Sequence, residues 1–309
     1  MKQIQIKGMN VPAVIVGCMR QAGFTDNPFT PKQMLDFIQK ALENGACFFD
    51  HADIYGLGRA EEVFGKALKL DPSLQRENLI IQSKCGIANR YYDSSKEHIL
   101  EAVDGILKRL QTDYLDILLL HRPDALVEPE EVAAAFDILS ESGKVRNFGV
   151  SNYTPGQIEL LKTCVTQPLI INQMECSVVH AGMISSGIEA NMTSEGSFDH
   201  DGEILNYCRK NGITLQAWSP FQISLREGSF IDNDRYPELN KELDVLAEAY
   251  GSTKTGIAAA WLFRHPANMQ VVVGTSRPER LKEVIEASEI RLTREEWYRL
   301  YLAAGHILP

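Results

Sequence analysis

The chain has few residues of the kinds that build disulfide frameworks, metal clusters or membrane spans. Its six cysteines show no CxxC spacing and its seven histidines include no HxH pair, which disfavours a disulfide scaffold and a zinc site. The longest strongly apolar runs, such as residues 117–120, are far too short to cross a bilayer. The first ten residues lack the apolar stretch of a signal peptide. We therefore expect a cytoplasmic protein with reduced thiols.

Positive charge is also scarce. The chain has 31 lysines and arginines against 41 aspartates and glutamates, for a formal net charge of −10. Nucleic acids and anionic membranes attract basic surfaces, so we expect neither as a partner. The negative net charge does not exclude an anionic small-molecule ligand, because a local basic pocket can lie within an acidic protein.

Short apolar runs alternate with amphipathic stretches along the whole chain. The runs predicted as strands are 14–18, 47–50, 79–84, 117–121, 145–150, 170–176, 214–218 and 270–274. They show little apolar–polar alternation, which is typical of strands buried on both faces of a parallel sheet. Eight strand-then-helix units without a break predict an α/β protein, a closed (β/α)8 TIM barrel. We expect a single domain over residues 1–309, with an N-terminal β-hairpin and extra helices.

An open, doubly wound sheet is the weaker alternative for the fold. A dinucleotide site of that kind needs GxGxxG directly after an early strand. Here the nearest pair, Gly56 and Gly58, lacks the third glycine and lies well past its strand. The sequence therefore favours the barrel.

Polar side chains follow three consecutive predicted strands. Asp50 ends the second strand with Tyr55 just beyond it, Lys84 ends the third strand, and His121 ends the fourth. In a barrel of this type the catalytic groups lie at the carboxyl ends of the strands, which face one mouth. Each residue alone is equally consistent with a structural role. Their coincidence on consecutive strands predicts an active site.

Carbonyl reduction is the chemistry that suits this set of side chains. A cofactor must carry the hydride, and the developing alkoxide needs a proton and an electrophilic surround. A tyrosine with a pKa of about 10 is protonated near pH 7, and a nearby ammonium stabilises the phenolate that it leaves. We expect Lys84 to supply this ammonium, Asp50 to hold Lys84 in place, and His121 to polarise the substrate carbonyl.

Several sequence blocks resemble those of the aldo-keto reductase superfamily, in particular its bacterial oxidoreductases. The blocks include FFDHADIYGLGRAEEVFGKAL, SGKVRNFGVSNY and VGTSRPERLKE, and they occur in the family's order and nearly end to end. The resemblance implies NADPH-dependent reduction of an aldehyde or ketone to an alcohol. Tyr55 would be the general acid, with Asp50, Lys84 and His121 completing a tetrad. It also implies a small-molecule carbonyl substrate, a monomer and no metal.

The resemblance further implies a set of cofactor-binding residues that extends from the nicotinamide to the adenosine phosphate. They are Met19, Arg20, Asp50, Ser151, Asn152, Gln173, Trp218, Ser219, Pro220, Phe221, Gly274, Thr275, Ser276 and Arg280. The segment 274–280 indicates an anion-binding site even without the resemblance. Its hydroxyls, guanidinium groups and backbone N–H groups lie at a helix start, and such groups bind anions. That reading favours NADPH over NADH. Without the family, a solvated helix face is an equal alternative for Arg277 and Arg280.

The substrate side is expected in the loops after the strands. The stretch 180–202 is unusually long, and loops of that length are either functional or partly disordered. We predict a mobile lid or an interaction surface there, with a tolerated insertion as an equal alternative. For His51 we expect core packing. Candidate walls of an apolar pocket are Phe24, Phe29, Tyr91, Tyr92 and Phe221.

Two other functions are alternatives to the reductase. A cofactor-binding regulatory or scaffold protein with little turnover is the main alternative, and retention of all four tetrad positions favours the enzyme. A metal-dependent barrel hydrolase commonly needs several strand-end histidines, and only His51 and His121 lie near early strand ends.

Overall fold

The computed structural model describes residues 1–22, 27–224 and 226–308. Its strands are β1 (Gln3–Ile6), β2 (Met9–Pro12), β3 (Val14–Gly17), β4 (Phe48–Asp50), β5 (Ile80–Cys85), β6 (Ile117–Leu120), β7 (Phe148–Ser151), β8 (Leu169–Glu175), β9 (Thr214–Trp218), β10 (Gln222–Ser224), β11 (Gly228–Ser229) and β12 (Gln270–Val273). Parallel strands close into a barrel in the order β12-β3-β4-β5-β6-β7-β8-β9. The antiparallel pairs β1-β2 and β10-β11 stand outside it.

Helices follow the barrel strands and cover their outer faces. They are α1 (Met19–Ala22), α2 (Pro31–Glu43), α3 (Arg59–Leu68), α4 (Lys96–Leu110), α5 (Pro129–Glu141), α6 (Pro155–Leu161), α7 (Gly182–Ile188), α8 (Ile204–Asn211), α9 (Pro237–Tyr250), α10 (Lys254–Arg264), α11 (Pro278–Ala287) and α12 (Arg294–Ala303). Single 3₁₀ turns lie at Arg76–Asn78 and Glu195–Ser197.

Local signals in the sequence set where many of these helices begin. Thr30 and Thr293 each form a capping box with the residue three positions on, and Ser95 accepts a hydrogen bond from the His98 backbone. Proline occupies the first turn of α2, α5, α6 and α9, where its missing N–H costs nothing. The prediction of a (β/α)8 barrel with an N-terminal hairpin is confirmed.

The burial of the barrel strands matches the predicted pattern. Every residue of β3, β6, β7 and β12 is buried, so neither face of these strands meets water. The strand cores are built from valine, isoleucine, leucine and phenylalanine, which suit closely packed parallel strands.

The described chain divides into two compact units. One unit comprises Ile15–Asn172 and Gly274–Pro278, and it contains β3 from its second residue, β4 to β7 and helices α1 to α6. Within it, α2 packs on α3, α3 on α4, and α4 on α5. The other unit comprises Met1–Val14, Gln173–Val273 and Glu279–Pro309. Within that unit α9 packs on α10 and α12. The single domain over residues 1–309 stays a prediction.

The segment after β8 contains secondary structure of its own. The stretch 180–202 is not a plain loop, because it contains α7 and the 3₁₀ turn at Glu195–Ser197. Among the residues that the structure describes, no helix is long and apolar enough to span a membrane.

Candidate active site

The barrel strands place the predicted tetrad in one unit of the protein. Asp50 is the last residue of β4, Lys84 is the penultimate residue of β5, and His121 directly follows β6. Tyr55 lies in the turn between β4 and α3. The register pairs Asp50 with Gln82 and Lys84 with Leu119, so the ends of these neighbouring strands lie side by side.

Lys84 is the centre of the hydrogen-bond network at these strand ends. Its Nζ donates to Asp50 Oδ2 at 2.7 Å, to the His51 carbonyl at 2.8 Å and to the Tyr55 hydroxyl oxygen at 3.1 Å. An ammonium has three donors, so these three bonds use all of them. Lys84 is 0% exposed and Asp50 only 2%. Gln82 Nε2 donates to the other carboxylate oxygen of Asp50 at 2.6 Å.

Burial and charge act in opposite directions on the pKa of Lys84 and of Tyr55. Burial lowers the pKa of Lys84, but the Asp50 carboxylate and Tyr55 overcome it, and the pKa lies above its ordinary value. Burial raises the pKa of Tyr55, and the Lys84 ammonium opposes this only in part. At pH 7 the pair is therefore an ammonium beside a protonated phenol. The arrangement holds a charged group against a proton donor.

His121 presents an uncharged imidazole next to Tyr55. The two rings meet edge to face with centroids 6.0 Å apart. Burial, followed by the charges of Lys84 and Arg122, holds the pKa of His121 well below its usual range. Within the described residues its Nδ1 is buried without a hydrogen-bond partner. A neutral ring of this kind can donate one hydrogen bond to a carbonyl oxygen.

A buried carboxylate, that of Glu61, stabilises the segment that follows Tyr55. Glu61, at the start of α3, is 0% exposed; it accepts from Ser83 Oγ at 2.6 Å and from Arg109 Nε at 2.7 Å. Gly58 precedes α3 with φ +88°, and a Cβ there would lie 2.6 Å from Arg109 Cδ. Because Ser83 is the strand neighbour of Lys84, the same carboxylate ties β5, α3 and α4 together.

These supporting residues were not found from the sequence. Gln82, Glu61 and Arg109 are absent from the candidate set, although Glu61 left a signal. It interrupts the buried face of α3, between Ala60 and Val63, and a carboxylate in such a place needs partners.

Asp53 is a second carboxylate near Glu61, two residues before Tyr55. Its Oδ1 is shielded from solvent without a partner in the described part of the chain, and its backbone N–H donates to the Lys84 carbonyl at 3.1 Å. Burial and the neighbouring Glu61 raise the pKa of Asp53 to about 7.

Several of the predicted cofactor residues lie in the same unit as the tetrad. Met19 and Arg20 begin α1, directly after β3 and Cys18. Ser151 ends β7, and Asn152 follows in the left-handed region at φ +62° and donates to Ser151 Oγ at 2.8 Å. Both positions lie at the carboxyl ends of barrel strands.

The segment after β12 is held against α1. Gln21 Nε2 donates to the Thr275 carbonyl at 2.7 Å, and the Arg277 backbone N–H donates to Thr275 Oγ1 at 3.1 Å. A Cβ on Gly274 would meet only the Arg20 side chain, at 3.9 Å. The structure thus brings Arg20 and the segment 274–277 together. Gly274 and Ser276 are exposed, whereas Thr275 is buried.

The remaining predicted cofactor residues lie in the other unit. Gln173 on β8 donates to Gln216 at 2.9 Å, and Gln216 donates to Gln270 at 3.0 Å, so three strands are joined by buried amides. Trp218 ends β9 and is partly buried. Ser219 follows at φ +52°, Pro220 is buried and Phe221 is partly buried. Arg280 is exposed on α11.

The candidate apolar walls have different environments. Phe29 packs edge to face on Phe37 of α2, while Tyr91 and Tyr92 are exposed. Phe24 lies outside the described residues. Leu57, which the sequence analysis did not single out, is 95% exposed two positions after Tyr55.

His51 packs as expected. It is 0% exposed, its ring lies edge to face on Phe64 at 4.6 Å, and burial lowers its pKa to about 3. Across the described ranges, no group of three or more histidine, cysteine, aspartate or glutamate side chains is arranged to hold a metal ion.

A family model for the aldo/keto reductase family matches residues 13–302. The chain belongs to this family. Oxidoreductase YdhF of Escherichia coli (strain K12) is 37% identical over 289 residues, which cover 90% of each chain. The family assignment makes the protein an oxidoreductase of the aldo/keto reductase type, as the sequence blocks predicted.

Solved structures of aldo-keto reductases share the fold. The thermostable aldo-keto reductase Tm1743, in complex with the inhibitor epalrestat, is 27% identical with a TM-score of 0.77 and covers 98% of this chain and 100% of its own. An aldo-keto reductase from Klebsiella pneumoniae in complex with NADPH is 24% identical with a TM-score of 0.76 and covers 97% and 93%. These likenesses agree with the closed barrel.

Proposed function

We propose that this protein reduces an aldehyde or a ketone to an alcohol with NADPH, and that Tyr55 is the proton donor. The observation that carries the proposal is the contact between the buried Lys84 ammonium and the Tyr55 hydroxyl. A protonated phenol beside a fixed ammonium is suited to give up its proton to a developing alkoxide. The residues thus favour reduction as the working direction.

Each tetrad residue has a distinct part in this proposal. Tyr55 donates its proton to the substrate oxygen, and Lys84 stabilises the phenolate that remains. Asp50 and the His51 carbonyl keep the ammonium aimed at Tyr55 through bonds of 2.7 and 2.8 Å. His121, uncharged at neutral pH, donates a hydrogen bond to the carbonyl oxygen and orients it. When bound, the nicotinamide supplies the hydride.

The residues around the strand ends fit a phosphorylated dinucleotide. The exposed side chains of Arg20, Ser276 and Arg280 have no hydrogen bond or ion pair among the described residues, so their donors are available to phosphate oxygens. Gly274 lies beside the Arg20 side chain, which a Cβ there would meet at 3.9 Å. We assign Met19, Arg20 and the segment 274–280 to the phosphate-bearing part of the cofactor. Ser151, Asn152, Gln173 and Trp218 are assigned to the nicotinamide, with the segment 219–221 covering it.

The related Klebsiella pneumoniae reductase was crystallised with NADPH, which supports the same cofactor here. An arginine that pairs with a 2′-phosphate would distinguish NADPH from NADH, and Arg280 is our candidate. We further propose that the barrel over residues 1–309 acts as one domain and that the protein works as a monomer.

A two-step experiment tests the proposal. NADPH and NADH are first titrated against the protein's tryptophan fluorescence, and NADPH consumption is then followed with a panel of aldehydes and dicarbonyls. We expect tighter binding of NADPH than of NADH, and turnover with at least one class of carbonyl. An Arg280→Gln variant should lose the preference for NADPH, while Arg226→Gln, also exposed, should keep it.

Other outcomes separate the alternatives. Tight NADPH binding without turnover on any carbonyl would favour a regulatory or scaffold protein. Failure to bind either nucleotide would overturn both readings.

A further inference from the structure

A cavity lies in a part of the molecule that the proposed reaction does not use. It has a volume of about 1100 Å3 and is bordered by α7, α8, the end of α10 and the start of α12. All of its lining residues belong to the unit that contains Gln173–Val273 and Glu279–Pro309. None of them is a tetrad residue or a candidate cofactor residue.

Three arginines line this cavity, in a protein with a net charge of −10. Arg209 lies on α8, Arg264 ends α10 and Arg294 begins α12. Throughout the described ranges, neither Arg209 nor Arg294 forms a hydrogen bond or an ion pair with the protein. Arg264 forms one hydrogen bond with the described residues, in which its Nε donates to the Leu292 carbonyl at 2.6 Å. Most of the guanidinium donors are therefore left for a ligand or for water.

His265 adds one more donor without adding charge. Its Nδ1 accepts a hydrogen bond from the Ala267 backbone N–H at 3.1 Å, which puts the proton of the neutral ring on Nε2. Burial, followed by the charges of Arg209 and Arg264, lowers the pKa of His265 to about 4. The ring is therefore neutral at pH 7, and it lines the same cavity as Arg209 and Arg264.

Two carboxylates also border the cavity, and neither neutralises the arginines. Asp199 accepts hydrogen bonds from the backbone N–H groups of Asp201 and Glu203, at 3.1 and 3.2 Å. Glu203 is exposed at the start of α8. In the described structure neither carboxylate comes within ion-pair distance of the lining arginines. The lining keeps an excess of one positive charge.

Apart from Ser186 and Asn206, the rest of the wall is largely apolar. Met183 and Ile184 of α7, Leu205 of α8 and Leu308 contribute aliphatic surface. Trp297 is stacked on Trp261 with centroids 4.7 Å apart and planes 8° apart, and Tyr298 meets Trp297 edge to face at 5.0 Å. A concave site with an apolar wall and a few convergent donors is the usual form of a small-molecule site.

We propose that this cavity binds an amphiphilic organic anion. The acidic head group accepts hydrogen bonds from Arg209, Arg294 and the His265 ring. The apolar body lies against the wall of Met183, Leu205 and the Trp297–Tyr298 pair. The head can be a carboxylate, a sulfonate or a phosphate ester, because a guanidinium recognises each of them through paired oxygens.

Binding to the full chain is measured with the fluorescent sulfonate 8-anilinonaphthalene-1-sulfonate, in the presence and absence of NADPH. Decanoate serves as a competitor with both head and body, inorganic phosphate as the head alone and decanol as the body alone. We expect one sulfonate site per chain that NADPH does not displace. Decanoate should displace the probe at concentrations about tenfold or more below those of phosphate or decanol, because only decanoate uses both surfaces.

The variants locate the site. Arg209→Gln combined with Arg294→Gln should weaken probe binding about tenfold or more, because charge-assisted hydrogen bonds are lost. Lys210→Gln removes a positive charge from the same helix away from the cavity, and it should change affinity by no more than about twofold. Both arginines are exposed and unpaired, so circular dichroism should show the native fold. The single variant Arg209→Gln serves if the double variant does not fold.

Three results would overturn the proposal. The first is equal affinity for the probe in the wild type and the arginine variant. The second is displacement of the probe by NADPH, which would move it to the mouth of the barrel. The third is absence of probe and decanoate binding by calorimetry.

Discussion

The Lys84 ammonium lies 3.1 Å from the Tyr55 hydroxyl oxygen and 4.9 Å from the centre of the same ring. The ammonium therefore contacts both the hydroxyl group and the aromatic ring of Tyr55. Burial raises the pKa of Tyr55 in the protein, and Lys84 opposes that rise. In the proposed reaction, the phenol stays protonated until a substrate oxygen develops negative charge, and the ammonium then favours release of the proton.

Replacing Tyr55 by phenylalanine removes the proposed acid and keeps the ring. We expect kcat to fall by about 10²–10⁴-fold, the usual contribution of a positioned acid. NADPH affinity should be retained, because the hydroxyl is assigned to the substrate side. Steady-state assays and fluorescence titration measure the two effects. A fall of less than about tenfold would mean that another group donates the proton.

The buried pair of Lys84 and Asp50 should be strongly coupled in stability. Lys84→Met leaves the Asp50 carboxylate buried without its ammonium, which typically costs about 3–5 kcal/mol in the free energy of unfolding. Adding Asp50→Asn should recover part of this loss, since no buried charge then remains. Urea unfolding of both single variants and the double variant gives the coupling energy.

A surface pair provides the comparison for that cycle. Lys66 and Glu62 are exposed at i, i+4 on α3, and the Lys66→Met change should alter stability by about 0.5 kcal/mol or less. Additive effects of the Lys84 and Asp50 changes would contradict the coupling.

His121 should not ionise in the working pH range. Burial, then the charges of Lys84 and Arg122, keep its pKa well below the usual 6.5. The profile of kcat/KM between pH 5 and pH 8 should therefore lack an acid limb with a midpoint near 6.5. Because the unfolded chain binds this proton below about pH 6.5 and the folded chain does not, stability should decline as pH falls through that value. A histidine-like limb that disappears in His121→Gln would contradict this expectation.

Asp53 makes the opposite contribution to stability. Its pKa is raised to about 7 by burial and by Glu61, so the folded protein keeps a proton that the unfolded chain loses near its ordinary pKa of 3.8. Its contribution is present at low pH and is lost as pH rises towards 7. Asp53→Asn should therefore gain stability relative to the wild type between pH 5 and pH 8.5, by about 2–3 kcal/mol, since one pKa unit corresponds to about 1.4 kcal/mol.

At pH 5 the advantage of Asp53→Asn over the wild type should be smaller than at pH 8.5, because only part of the Asp53 contribution is lost between pH 3.8 and pH 5. Asp36→Asn, exposed on α2, supplies the matched control and should show no pH-dependent difference. A gap between Asp53→Asn and the wild type that is equal at both pH values would refute the assignment to Asp53. Thermal unfolding followed by circular dichroism measures all of these differences.

The sequence predicted the barrel because its strands are local and unbroken. The runs 214–218 and 237–250 match β9 and α9 residue for residue, since periodicity, Pro237 and Gly251 mark their limits. The proximity of the four proposed tetrad residues was predictable for a related reason, because parallel strands bring their carboxyl ends to one place.

What the sequence did not predict depends on contacts between distant segments. Gln82 reaches Asp50 because the register places the two residues opposite each other, and no local pattern encodes that register. Helix α7 has glycines near both ends, and an isoleucine and two serines make up most of the residues between them. Its Ser185 is held by the Tyr301 hydroxyl at 2.8 Å, across 116 positions of the chain.

Gly274 sits beside the exposed guanidinium of Arg20, and a side chain added there would meet only flexible atoms at ordinary contact distance. Its backbone is not in the left-handed region, so any residue can take its place without strain. A substitution at Gly274 can thus change which nucleotide is preferred without changing the fold. A Gly274→Lys substitution would add a positive charge where the cofactor phosphates are expected. Protein engineers would then have a way to change the preference between NADPH and NADH while the barrel and Tyr55 are left unchanged.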